Sequence, residues 1–147
     1  MSTDPSGEEL FFPGSVCFGC STTNPAALGL RFFRQGEEVA SRYRAHEHLC
    51  GAPGIVHGGI LATIIDEVSC AAVVFVRGTH VVTGELSVRF LAPCPVNRDI
   101  DIRARIVGER PRYLVVESEV SLDGATLARG TGRFFPVDRT GTGADAR

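Results

Sequence analysis

The chain has 147 residues, 44% of them hydrophobic and 22% charged, which suits one soluble globular domain with a sizeable core. Its formal net charge is −2 with both signs interspersed, so it lacks the basic face that nucleic-acid binding needs. All 15 basic residues are arginines, which excludes chemistry built on a Schiff-base or phosphate-loop lysine.

The first fifteen positions open acidic and polar, so they do not read as a signal peptide. They are expected to be flexible, with Leu10, Phe11 and Phe12 as a short apolar anchor. Cys17-Phe18-Gly19-Cys20 and the following Ser-Thr-Thr-Asn-Pro form a turn-rich loop. Residues 28–33 and 39–45 read as strands, joined by a turn at Gln35-Gly36-Glu37. The five cysteines are an odd set and are expected to be reduced thiols, which points to a cytoplasmic location.

The central stretch runs from Gly54 to about Val76. After Pro53 it passes through His57-Gly58-Gly59 and becomes an almost wholly apolar helix, interrupted by Asp66 and Glu67. Charges near the middle of such a run are costly in lipid, so it reads as a buried core helix rather than a membrane span. Glycines at a helix start leave backbone N–H groups uncovered and attractive to developing negative charge.

If the helix begins at Gly58, then Gly59, Ala62, Thr63, Asp66, Ser69, Cys70 and Val73 share one stripe. The larger apolar residues would cover the sheet-facing side, and Glu67 is turned about 100° from Asp66. Gly59 and Asp66 are seven residues apart, roughly 10 Å along the axis. A carbonyl held at the helix N-terminus is therefore out of reach of Asp66 on the same helix. A second helix related by a two-fold axis would supply the acid, which favours a homodimer with shared sites. The plainer alternative keeps His57 and the glycines as a tight loop and Asp66 as a structural acid.

Four strands follow. Residues 81–91 alternate, with Val82, Leu86, Val88 and Phe90 on one face and Thr83, Glu85, Ser87 and Arg89 on the other. Residues 99–107, 113–122 and 125–135 are the others, the last two joined by an Asp123-Gly124 hairpin turn. The tail from 138 to 147 has no packing signal and is expected to be disordered. One long helix and about six strands with short turns imply an α+β domain over 16–137, a curved antiparallel sheet wrapped around the helix.

His57-Gly58-Gly59 with Asp66 nine residues after the histidine resembles the hotdog-fold thioesterase superfamily. The similarity is greatest to its phenylacetate-pathway (PaaI-like) and 4-hydroxybenzoyl-CoA thioesterase branch. The cysteine loop with Asn24-Pro25 and Leu28-Gly29-Leu30, the run 51–57 and the run 81–93 fit the same branch. The resemblance implies a thioesterase acting on acyl-CoA or an acyl-carrier thioester, a dimer or dimer of dimers with sites at the dimer interface. It also implies a carbonyl polarised by the N–H of Gly58 or Gly59 and positioned by His57. Asp66 from the partner subunit would be general base or nucleophile, with Thr83 assisting and Glu67 as the fallback acid. CoA enters as part of the substrate; no cofactor and no metal is expected. A binding protein without hydrolysis is the alternative.

Cys17 and Cys20 have zinc-knuckle spacing, yet no second cysteine or histidine pair follows at finger spacing. They read as a loop packing near the pocket. Cys70 reads as a small core residue, and the scattered arginines as solvated surface.

Overall fold

The computed structural model describes residues 7–138. The disorder expected of the tail falls almost wholly on residues outside that span. Helix α1 (Gly58–Arg77) lies against seven strands: β1 (Glu8–Leu10), β2 (Phe32–Gln35), β3 (Glu38–Arg44), β4 (Val81–Phe90), β5 (Asp99–Glu109), β6 (Leu114–Leu122) and β7 (Ala125–Pro136). The strands form one antiparallel sheet in the order β1-β2-β3-β5-β6-β7-β4. The helix connects β3 to β4, which among the described residues pairs only with β7 and so lies at the sheet edge.

The helix begins at Gly58 because His57 closes it there: its ring nitrogen accepts the Gly59 N–H while its own backbone stays extended. It ends at Gly78, whose φ of 69° places it in the left-handed region, with its N–H returned to the Val74 carbonyl. Leu61, Ile64, Ile65, Val68, Ala71 and Ala72 are buried against the sheet. Phe32, Val39, Ile100, Ile102, Val116, Val120 and Phe134 meet them from the strands. The segment is by length and composition apolar enough to cross a membrane, and its buried face is the one packed on the sheet.

Three expectations are corrected. Residues 8–10, placed in the flexible N-terminus, form β1 and pair with β2, with Phe12 packed on Phe32 and Phe75. The apolar anchor therefore brings a strand with it, and the sheet has seven strands rather than about six. Residues 28–31 are not strand: Leu28 and Leu30 donate to the carbonyls of Phe18 and Gly19, so this segment pairs with the cysteine loop instead of the sheet.

The third concerns β4. Its register against β7 shifts between Thr83 and Glu85, a bulge centred on Gly84. The extra residue reverses the side-chain phase, so Val82 points outward, 53% exposed, while Thr83 turns toward α1. Leu86 and Val88, beyond the bulge, pack on the core as expected. The charged outer face of the sheet carries arginines paired with glutamates, among them Arg103, Arg105 and Arg129. Such exposed pairs add little stability.

Candidate active site

Two groups of candidate residues lie on the exposed side of α1, and the helix itself holds them apart. At its N-terminus are His57, Gly58 and Gly59, all exposed. The Gly59 N–H donates to His57 Nδ1 at 2.8 Å. Accepting at Nδ1 leaves the proton of a neutral imidazole on Nε2, where it is available as a donor. A methyl group at position 59 would come within 3.0 Å of that same Nδ1, so glycine is what lets the ring fold back over the helix start. Of the two glycines, Gly58 keeps an N–H with no acceptor among the described residues.

Seven residues along the helix, Asp66 is half-buried and accepts a hydrogen bond from the Thr83 hydroxyl, Oγ1 to Oδ1 2.6 Å. A charge-assisted bond this short fixes the carboxylate rotamer and leaves Oδ2 open. The contact exists because the β4 bulge points Thr83 at the helix. Cys70 Sγ approaches the same hydroxyl at 3.7 Å. Burial, followed by the nearby Asp66 charge, pushes the Cys70 thiol up to about 12. Its nucleophilic thiolate is thus suppressed at neutral pH.

The exposed stripe is narrower than helical arithmetic suggests. Ser69 and Val73 belong to the core, at 1% and 0% exposure. The stripe is Gly59, Ala62, Thr63, Asp66 and Cys70, with Thr63 bonded back to the Gly59 carbonyl. Glu67 is on a different side altogether. Its carboxylate accepts from the Cys17 thiol at 3.2 Å, beneath the loop that precedes β2. Burial holds its carboxyl above the ordinary glutamate range.

A cleft of about 350 Å³ opens next to the helix start, lined by Ile55, Val56, Gly58, Leu61, Phe90 and Leu91 among others. Sequence reasoning missed it because residues 90–94 read only as a strand end and a breaker. Phe90 and Leu91, about half exposed, form its rim. Missed too was the meeting of Cys17 and Cys20 with Glu67, some fifty residues distant. Gly19 was the available signal, since glycine inside a loop often marks a close approach.

A long helix wrapped by one antiparallel sheet is the hotdog arrangement. The thioesterase superfamily profile matches residues 53–128, just over half of the chain, and the protein belongs to that superfamily. A solved thioesterase superfamily protein from Shewanella loihica superposes with a TM-score of 0.65 at 26% identity, covering 75% of this chain and 92% of the other. Among sequence relatives, the acyl-coenzyme A thioesterase THEM4 of Bos taurus is 32% identical over 119 residues, 76% of this chain and 48% of its own. Human acyl-coenzyme A thioesterase 13 is 26% identical over 96 residues, 63% of this chain and 69% of its own. The chain thus spans about half the length of the THEM4 proteins it matches.

Proposed function

We propose that the protein hydrolyses acyl-CoA thioesters to the free acid and CoA, in sites shared by two subunits. The observation that carries this reading is the Thr83–Asp66 hydrogen bond, which presents a fixed carboxylate on the uncovered stripe of an otherwise buried helix. The Gly58 N–H receives the thioester carbonyl, and the Nε2 of His57 helps orient it. In the general-base route, Asp66 takes a proton from water as the water oxygen attacks the carbonyl carbon. The C–S bond of the tetrahedral intermediate then breaks, and the departing thiolate is reprotonated. In the nucleophilic route the carboxylate attacks instead, the C–S bond breaks to release the CoA thiolate, which is protonated, and water then hydrolyses the mixed anhydride to the free acid and the regenerated carboxylate. The cleft beside Gly58 suits the apolar part of the substrate.

The same spacing argues for the dimer. Gly58 and Asp66 of one helix are roughly 12 Å apart along the axis, so each complete site pairs one helix start with Asp66 of the partner subunit. The ten-residue β4 edge has an unpaired side and the exposed apolar residues Val82 and Phe90, a surface suited to another copy. Five free thiols fit a reducing compartment, and the cytoplasm is proposed accordingly.

The test is thiol release from acetyl to palmitoyl, phenylacetyl and benzoyl-CoA, comparing wild type with Asp66→Asn. Loss of at least about a hundredfold in turnover in a folded variant supports the assignment. Saturable acyl-CoA binding without release of thiol from any substrate would put a non-hydrolytic binding protein in its place.

A further inference from the structure

The thioesterase reading makes no use of Cys17, Cys20 and Glu67, yet these three groups converge. One ligand atom from each lies within 4.8 Å of the other two, and all three residues are half-buried. Cys17 Sγ is 3.2 Å from Glu67 Oε1. A tetrahedral zinc ion with Zn–S bonds of ~2.3 Å and a Zn–O bond of ~2.0 Å needs a sulfur–oxygen edge of about 3.5 Å. Only a few tenths of an ångström separate the two distances.

The loop is shaped for this role. Cys17 and Cys20 are brought onto one turn by the Ser21 N–H bonding back to the Cys17 carbonyl. The Gly19 N–H donates to Cys17 Sγ at 3.2 Å, a bond that favours the thiolate over the thiol. Gly19 also makes room for the third group. A methyl there would lie 2.2 Å from Glu67 Cγ and 2.7 Å from its Oε2, so any other residue would drive the carboxylate out. Leu28 and Leu30 clamp the loop from behind through the Phe18 and Gly19 carbonyls.

We propose that Cys17, Cys20 and Glu67 bind a zinc-class divalent cation that fastens the cysteine loop to helix α1, with water or the Ser15 hydroxyl as fourth ligand. Two sulfurs and one carboxylate oxygen in a tetrahedral setting select zinc over hard cations such as magnesium or calcium. Binding displaces the two thiol protons to solvent and leaves three anionic ligands around one dication. A bound dication offsets the cost of gathering that negative charge in a half-buried loop. The ion is a fastener of the loop and takes no part in thioester cleavage.

The experiment uses the full chain, stripped with chelator and kept reduced, titrated with cobalt(II) as a spectroscopic stand-in for zinc. One equivalent should produce a thiolate-to-cobalt charge-transfer band with intense tetrahedral visible bands, both erased by added zinc. Cys17→Ser and Cys20→Ser should each abolish the charge-transfer band. Glu67→Gln should raise the cobalt dissociation constant by at least about tenfold, since even residues behind metal ligands cost that much. Zinc should also raise the melting temperature of wild type and leave that of both serine variants unchanged. The proposal is overturned if the reduced wild type, with both thiols titratable, shows no charge-transfer band. It is equally overturned if the band survives in Cys17→Ser, or if Glu67→Gln binds cobalt as tightly as wild type. Thiol release from acyl-CoA is a separate readout, so the catalytic assignment and this one stand or fall independently.

Discussion

Asp66 and Glu67 are neighbours with the same chemistry, on the same helix, in opposite circumstances. Asp66 looks onto a half-buried stripe, and its one hydrogen-bond partner among the described residues is a hydroxyl donated from the sheet edge. Glu67, one residue and about 100° farther round, lies under the cysteine loop against a thiol. The first carboxylate is held but accessible; the second is held and enclosed. A helix can thus present two acids for unrelated purposes, and the elements packed on each side decide which is which.

The comparison can be broken most directly by exchanging the two acids for amides. Asp66→Asn should lose at least about a hundredfold in thiol release, and Glu67→Gln much less; equal losses would mean the enclosed acid takes part in the chemistry. Gly58→Pro tests the other half of the site without adding bulk to the stripe. Proline suits the first helical position, and the extended His57 backbone, at φ −57° and ψ 133°, tolerates a following proline. The substitution removes the one uncommitted N–H, and a drop of about a hundredfold is expected in a protein of unchanged melting temperature. Mixing the inactive Gly58→Pro and Asp66→Asn proteins through a denaturation cycle should then restore activity. Random pairing makes about half the dimers mixed, each with one intact site of two, so about a quarter of the wild-type rate returns. No recovery would place both groups in one subunit.

A smaller effect is expected for Thr83→Val, which keeps the shape and removes the hydroxyl. The Asp66 carboxylate loses its only recorded fixed donor, and turnover should fall about tenfold, within the range of one hydrogen bond to a charged group. The smallest concerns the buried side of the same helix. The Ser69 hydroxyl is enclosed without a partner, so Ser69→Ala should leave activity intact and change stability by at most about 1 kcal/mol, in the stabilising direction. Calorimetry reads it; a clear destabilisation would show that the hydroxyl is bonded.

The helix was legible in the sequence to within a residue or two, because the glycine pair and the apolar run state its start and approximate length locally. The antiparallel strands after it were legible for a similar reason: alternation and the Asp123-Gly124 turn are near-neighbour signals. Thr83 was not, because a bulge depends on how two strands register, and counting by twos put its hydroxyl on the wrong face. Gly84 carried the warning. The Cys17–Glu67 contact was hidden for a deeper reason, being a product of the folded topology with nothing local to announce it. Residues 28–31 misled in the opposite direction. Their apolar content suits a strand, but their hydrogen bonds go to the cysteine loop.

The β4 bulge makes the active-site stripe sensitive to strand register in a way that composition would never show. Deleting Gly84 would restore strict alternation between Val81 and Phe90 and remove no functional side chain. It would also leave Thr83 opposite Phe134 and facing the helix, because the residue removed is the one the ladder already skips; drawing Gly84 into the ladder instead would turn Thr83 outward and take the donor away from Asp66. A one-residue slip of that register, with no change in composition, would act as an off-switch for the carboxylate while the strand, its partner β7 and the helix all persisted. Relatives that differ by a single residue at this point should therefore be compared by which face their hydroxyl occupies, before any inference is drawn from whether a hydroxyl is present.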